Sequence, residues 1–188
     1  MKSRTSKLML SGLLLLAAVT AHSDEYIDTI AVFKESPGSA SFFDKSYGYA
    51  VFPTIGKAGL VVGGAHGTGR VYEKGQYVGD TSLTQLSVGF QAGGQAFSEI
   101  IFFENKAAFD IFTAGNFEMA ATAQATAITA SASASAGSTG ASATASAKKD
   151  EAATAGEYYK GISVFTVAKG GLMYEASIAG QKFTYKPR

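Results

Sequence analysis

The residues that could carry chemistry are few, and the first group lies in the stretch GLVVGGAHGTGR at residues 59–70. This stretch contains five glycines, His66 and Arg70, a composition that could form a phosphate-binding loop. A dinucleotide fingerprint needs G-x-G-x-x-G, but Tyr72 stands where the third glycine belongs. A P-loop needs Gly-Lys-Ser/Thr, and Gly69 is followed by Arg70 and Val71. Since neither motif is complete, we interpret the glycines as bend points in a β-strand pattern. These bend points are Gly63, Gly64, Gly67 and Gly69.

Histidine and cysteine, the side chains most used in metal sites and nucleophilic catalysis, are nearly missing. His66 is the only histidine outside the first 23 residues, and the chain has no cysteine. Metal sites need several ligands, and a nucleophile needs an oriented base. We therefore predict a protein that is not an enzyme and has no cofactor or metal, with His66 structural or at the surface.

A third group is polar and lies in the apolar run LSVGFQAGGQAFSEIIFFE. Gln91, Gln95 and Glu99 are four residues apart, so in a strand they share one face. One interpretation is a polar ladder in a lipid or small-molecule cavity. The other, which we favour, is a buried hydrogen-bond network that fixes strand register. Glu99 lacks the second carboxylate that acid-base hydrolysis would use.

Residues 1–23 read as a secretory signal peptide. Lys2, Arg4 and Lys7 precede an apolar run at residues 8–19 and then small residues, in the order that such peptides require. The run is shorter than the ~20 residues that span a bilayer. Without a cysteine for lipid attachment, the expected product is a soluble periplasmic or secreted protein of residues 24–188. A peripheral position at a membrane is the alternative.

The charge of the exported part argues against nucleic acid as a partner. Of the 16 Lys and Arg residues, 13 remain after removal of the leader, against 15 Asp and Glu. The net charge of about −2 provides no surface that could neutralise a row of phosphates.

The remaining pattern alternates helices with hairpin-sized strands. An amphipathic helix begins near Asp24 and stops at Pro37, and a short helix or turn leads into an apolar strand that ends at Pro53. Lys74-Gly75 marks a hairpin turn, and another helix follows a cap at Asn105 and stops at Gly115. The pattern predicts one α+β domain, with a curled or barrel-like antiparallel β-sheet and two to three helices.

The segment at residues 119–147 is rich in alanine, serine and threonine. Composition alone is typical of a disordered linker. Alanine, however, recurs at every second position on both sides of a Gly-Ser-Thr-Gly sequence at 137–140, with one shift of phase at Ile128-Thr129. Because strands alternate with a period of two, we predict an ordered hairpin with one alanine face.

Two blocks carry a resemblance to a known family. YGYAVFPTIGKAGLVVGGAHGTGRVYEKG and TSLTQLSVGFQAGGQAFSEIIFF resemble the signature of the SYLF domain family, whose bacterial members include exported proteins. The resemblance covers nearly all of residues 24–188. It implies a lipid-binding α+β module without known catalysis. Eukaryotic relatives bind phosphoinositide membranes, and a yeast branch also binds actin filaments.

The first helix supplies the predicted membrane contact. Its apolar face carries Tyr26, Ile27, Ile30 and Phe33, with Lys34 as a head-group contact, as in an interfacial helix. Eukaryotic members have a basic helix here, whereas this one has four acidic residues, Asp24, Glu25, Asp28 and Glu35. We therefore expect little preference for anionic vesicles. The same face could instead pack permanently on the sheet.

These observations predict a non-enzymatic module that binds phospholipid or a membrane surface, with an unknown protein partner. Two alternatives stay open. One is a small-molecule carrier with a polar cavity around Gln95 and Glu99. The other is a protein-interaction module, either actin-binding-like or self-associating through an exposed edge of the alanine hairpin.

Overall fold

The computed structural model describes residues 24–59, 62–88, 95–119, 126–128, 157–169, 178 and 180–188. These ranges contain three helices: α1 (Glu25–Glu35), α2 (Phe42–Lys45) and α3 (Lys106–Thr113). They also contain eight strands: β1 (Gly48–Gly59), β2 (Val62–Glu73), β3 (Gln76–Val88), β4 (Gln95–Phe103), β5 (Phe117–Glu118), β6 (Thr126–Ile128), β7 (Ile162–Lys169) and β8 (Lys182–Pro187). The strands form one sheet in the order β5-β8-β3-β2-β1-β4-β7-β6. Neighbours are antiparallel except for β6, which runs parallel to β7.

The sheet is strongly curled. Phe52 on β1 and Phe183 on β8 are three strand spacings apart, which is roughly 14 Å in a flat sheet. Their ring centroids nevertheless lie 5.7 Å apart, so the two halves of the sheet face each other across one interior. The predicted α+β fold with a curled antiparallel sheet is confirmed.

The two faces of the sheet are packed by different helices. The concave face and α3 enclose a core of which the largest wholly buried members are Phe52, Ile55, Leu83, Ile101, Phe103, Phe112 and Ile178. The convex face of β1, β4 and β7 carries a second cluster, covered by α1 and α2, with Phe33, Phe42, Val51, Ile100, Phe102 and Phe165. β1, β4 and β7 are therefore apolar on both faces, as expected of strands covered on two sides.

The helices begin and end where their capping residues predict. The Asp24 carboxylate accepts from the backbone N–H of Tyr26 at 3.0 Å at the start of α1. The Asn105 side chain accepts from the N–H of Ala108 at 3.1 Å at the start of α3. Gly115, just beyond α3, has a φ of 96°, the left-handed conformation that commonly ends helices.

The first strand differs from its predicted extent. We expected it to end at Pro53, but β1 continues to Gly59. Between Val51 and Ile55 it has one more residue than either neighbouring strand, which defines a β-bulge. Proline has no N–H for the ladder and is tolerated at bulges. The bulge therefore accommodates Pro53 inside the strand.

The predicted hairpin turn at Lys74-Gly75 is confirmed. It joins β2 to β3, and both residues have positive φ, 48° and 82°, as in a two-residue type I′ turn. The predicted signal peptide at residues 1–23 lies outside the described residues. So does most of the predicted alanine hairpin at 119–147, of which Met119 and β6 are described.

Two of the strand glycines make room for large side chains of β1. A Cβ at Gly67 would lie 2.7 Å from Ile55 Cγ1, and one at Gly69 would lie 2.7 Å from Phe52 Cδ1. Real Cβ atoms do not approach other carbons so closely. Gly67 and Gly69 thus let Ile55 and Phe52 lie flat against β2 inside the curl.

We expect Gly69→Ala to destabilise the fold by about 1–3 kcal/mol, because the added methyl group would displace the buried Phe52 ring. Urea unfolding measures this loss. Gly56→Ala is the matched control, since a Cβ there meets nothing within 4 Å. Equal losses in both variants would show that the glycine itself, rather than the room it leaves, matters.

Candidate functional site

The first helix lies on the convex face of the sheet and has two different sides. Phe33 is wholly buried in the convex cluster, and Tyr26 and Ile30 pack partly buried against it. Ile27 and Val32 face away from the sheet, with 62% and 44% of their surface exposed. Of the predicted apolar lipid contacts, only Ile27 is therefore on the solvent side in this structure. The other three pack against the sheet, because burial of apolar side chains there lowers the free energy of the folded state.

Two ion pairs hold the N-terminal end of α1 to the sheet, and we refer to them as the clasp. Arg70 on β2 lies 2.5 Å from the Asp24 carboxylate, with its guanidinium 4.0 Å from the centroid of the Tyr26 ring. The Glu25 carboxylate accepts from the Thr54 hydroxyl at 2.7 Å and from Lys169 Nζ at 3.1 Å. Thr54 belongs to the bulge of β1. Because the ion pairs of the clasp are partly exposed, they contribute little to the free energy of unfolding. Their main effect is to orient α1 on the sheet.

The clasp lowers the pKa of both carboxyl groups. The hydrogen bond from Arg70 is the main cause for Asp24. For Glu25 the hydroxyl of Thr54 has the largest effect, followed by Lys169. Both groups are therefore held in their charged forms at neutral pH.

The C-terminal end of α1 borders a groove of about 220 Å³, which we call the lysine groove. It is lined by Lys34 of α1, by α2 and the residues after it, by the start of β1 and by the Lys74-Gly75 turn. Lys34 Nζ lies 5.4 Å from the centroid of the Phe43 ring, and Lys74 Nζ lies 5.3 Å from that of Tyr47. The predicted head-group contact Lys34 thus shares this groove with a second lysine.

Of the three predicted polar residues, Glu99 is the one whose side chain the structure describes. Gln91 lies outside the described residues, and Gln95 is described only as a β4 residue that pairs with Lys57. Glu99 is wholly buried on the concave side. Its carboxyl Oε2 accepts from Gln181 Nε2 at 3.0 Å. Gln181 precedes β8 and is itself wholly buried.

Burial raises the pKa of Glu99 to about 8, and the Gln181 hydrogen bond offsets only part of this rise. The side chain is therefore mostly protonated at pH 7. Among the described residues, Glu99 Oε1, Gln181 Oε1 and Thr166 Oγ1 have no hydrogen-bond partner. Thr166 lies directly opposite Glu99 on β7. A protonated carboxyl supplies a donor to this acceptor-rich interior, which a charged one lacks.

Several residues at these sites carry no local signal in the sequence. Thr166 reaches Glu99 through strand pairing, and Gln181 reaches it through the curl of the sheet. Arg70 and Lys169 reach their partners through the docking of α1. The Lys74-Gly75 turn was predictable as a turn, but its nearness to Lys34 depends on how α1 docks. His66 lies exposed on β2, opposite Thr84.

These features define a curled antiparallel sheet with a clasped surface helix and a lysine groove at the end of that helix. No protein family profile matches the chain. The chain is similar to Beta cell expansion factor A of Aeromonas veronii, with 29% identity over 158 residues. The aligned region covers 82% of this chain and 51% of that relative. The chain thus spans about half the length of the curated relative it matches.

No helix among the described residues is long and apolar enough to cross a membrane.

Protonation of Glu99 predicts a distinctive pH dependence of stability. Its folded pKa, about 8, exceeds its ordinary value of 4.5. The folded state therefore binds the extra proton, and the free energy of unfolding falls by about 1.4 kcal/mol per pH unit as the pH rises between these values. Above pH 8 this contribution is lost. We expect Glu99→Gln to remove this slope, as urea unfolding from pH 5 to 8 would show.

The control for this experiment is Glu99→Leu, which also removes the charge but leaves Gln181 without its partner. We expect Leu to be less stable than Gln at every pH. Equal stabilities of the two variants would contradict a hydrogen-bonding role for Glu99.

The clasp predicts the opposite pH dependence at acid pH. The lowered pKa values of Asp24 and Glu25 mean that their contribution is present at neutral pH and is lost as the pH falls through those values. Arg70→Gln should weaken amide protection in α1 at neutral pH and reduce its further loss in acid. Lys106→Gln, which breaks the Lys106–Asp110 pair on α3, should leave α1 unchanged. Unaltered α1 protection in Arg70→Gln would contradict the clasp.

Proposed function

We propose that this protein is an exported, non-enzymatic, SYLF-type module that binds phospholipid membranes peripherally through the solvent side of α1. One observation carries the proposal. Ile27 and Val32 are large apolar side chains exposed on a helix whose other side is already packed on the sheet. Large apolar side chains exposed on a surface helix are typical of helices that lie at a membrane interface.

The helix can make this contact without leaving the sheet. Release of α1 would expose Phe33 and the inward sides of Tyr26 and Ile30, and each fully buried side chain of this kind contributes roughly 1.5–3 kcal/mol. Contact through Ile27 and Val32 has no such cost. We therefore infer a shallow interfacial contact by the docked helix, with Lys34 reaching the head groups.

The charges near α1 are compatible with such a contact. Asp24 and Glu25 lie in the clasp, each beside a basic partner. Their charges are thus offset locally, which the count of acidic residues in the sequence did not reveal. A docked α1 therefore presents less negative charge to a membrane than its sequence implies.

The test replaces both outward apolar residues in the double variant Ile27→Asp/Val32→Asp. We expect the binding to phosphatidylcholine vesicles to fall by at least about tenfold, since the variant loses apolar contact and brings two carboxylates to the interface. The melting temperature should stay close to that of the parent protein because both side chains are exposed. Co-sedimentation with vesicles measures the binding.

The chain offers a matched control in Ile111→Asp. Ile111 lies on α3 and is 62% exposed, the same fraction as Ile27. It should leave vesicle binding unchanged. Unchanged binding in the Ile27 and Val32 variant, or an equal loss in the Ile111 variant, would contradict the proposed contact.

A further inference from the structure

We propose that the lysine groove binds the phosphate group of a phosphate ester, either in a phospholipid head group or in a soluble compound. Where the ester is a lipid, this inference rests on the proposed function and names the chemistry that the membrane contact would recognise. The argument depends on the charge, the support and the size of the groove.

The groove brings together two positive charges that the sequence keeps 40 residues apart. Lys34 and Lys74 both line it. In the described part of the chain, neither ammonium group has a carboxylate within ion-pair distance, whereas Arg70, Lys106, Lys169 and Lys182 do. Two lysines that line one concavity attract an anion more strongly than scattered surface charges do.

Carboxylates near the groove do not cancel this charge. Asp44 is the only acidic residue among those that line the groove, so its described lining carries two positive charges against one negative. Glu73 precedes Lys74 in the chain but is not part of this lining. Its carboxylate instead accepts a hydrogen bond from the Tyr47 hydroxyl.

Both lysines extend from fixed backbone. Lys34 follows Phe33, whose side chain is wholly buried on the sheet. The N–H of Lys74 donates to the carbonyl of Tyr47 at 3.1 Å, and the type I′ turn fixes its φ at 48°. The Phe43 and Tyr47 rings lie beneath the two ammonium groups, a contact that holds a cation without neutralising it. The cost of ordering these side chains on binding is thereby reduced.

The volume favours a small polar group. At about 220 Å³, the groove is below the roughly 300–1,000 Å³ of sites that enclose drug-sized ligands. It fits a head group better than an acyl chain. The ester group would then lie in the groove, with the acyl chains of a lipid outside it and beside α1.

The experiment compares the double variant Lys34→Gln/Lys74→Gln with a matched control, the double variant Lys45→Gln/Lys160→Gln. Lys45 and Lys34 both lie in the last turn of a helix. Lys160 and Lys74 both have positive φ, and Lys160 Nζ lies 5.2 Å from the Tyr159 ring. Neither control lysine lines the groove. Both double variants remove the same charge, so a general attraction to anions affects them equally.

Two probes distinguish the sources of the phosphate. The first is vesicles of phosphatidylcholine with phosphatidylglycerol, compared with phosphatidylcholine alone. The second is glycerol 3-phosphate, followed by amide chemical shifts of Lys74 and Gly75. We expect the groove variant to lose about thirtyfold in affinity for the anionic vesicles, because each lysine held against the head groups contributes roughly fivefold. The control should lose no more than a few-fold.

The outcomes separate this inference from the proposed function. Loss confined to the groove variant, with either probe, supports the phosphate site. Binding of glycerol 3-phosphate without vesicle binding supports the site for a soluble ester and contradicts the membrane function. Vesicle binding that depends on Ile27 and Val32 but falls equally in both lysine variants overturns the phosphate site and leaves the membrane function standing. Unchanged melting temperatures show that the variants are folded, and a variant that melts early is replaced by the single substitution Lys34→Gln against Lys45→Gln.

Discussion

The curl of the sheet is the constraint on which the rest of the structure depends. Glu99 on β4 and Gln181 before β8 are four strand spacings apart, which would be roughly 19 Å in a flat sheet. They meet at 3.0 Å. This contact is possible only because the sheet closes around one interior, and Gly67 and Gly69 allow Ile55 and Phe52 to fill that interior without pushing β2 outward. A protonated carboxyl is the form that such an interior accepts, because an isolated charge there would be strongly disfavoured.

The convex face determines where the surface helix lies. On β1, β4 and β7 this face is apolar, with Val51, Ile100 and Phe165 buried. On β2 and β3 it carries His66, Thr68 and Thr84, which are exposed. A helix with one apolar side therefore packs over the first group of strands and leaves the second group to solvent. The clasp spans this first group of strands, because Arg70 comes from β2 on one side of β1 and β4 and Lys169 comes from the end of β7 on the other.

Local signals in the sequence were sufficient for most of the fold. Caps at Asp24 and Asn105, the glycine after α3 and the Lys74-Gly75 turn each fix a boundary by short-range chemistry. The continuation of β1 beyond Pro53 was not predictable in this way, because the bulge that accommodates proline is defined by the registers of two other strands. The pattern for Phe33 and Ile30 showed an apolar helix face but could not say whether sheet or membrane covers it.

The candidate site was less predictable than the fold for a related reason. Glu99 stood out as a carboxyl in an apolar strand, but its partner Gln181 lies 82 positions later, where nothing in the local sequence marks it. Lys34 was found as a single charge, and its neighbour Lys74 was found only as part of a turn. Charges and hydrogen bonds act over a few ångströms in space, so residue counts along a helix misjudge them whenever the partner comes from another element.

The docking of α1 connects the local signals that predict the helix with the long-range contacts that form the candidate site. A helix placed by its inward side on a rigid sheet has an outward surface whose position is also fixed, so the places of Ile27, Val32 and Lys34 on it are set together. The end of that surface coincides with the β2–β3 turn because α1 runs from the clasp toward α2. The side chains that bind the helix to the sheet therefore also determine which groups can act together on its exposed side. Removal of an inward residue such as Phe33 would disturb the surface as a whole, whereas removal of an outward residue tests one contact.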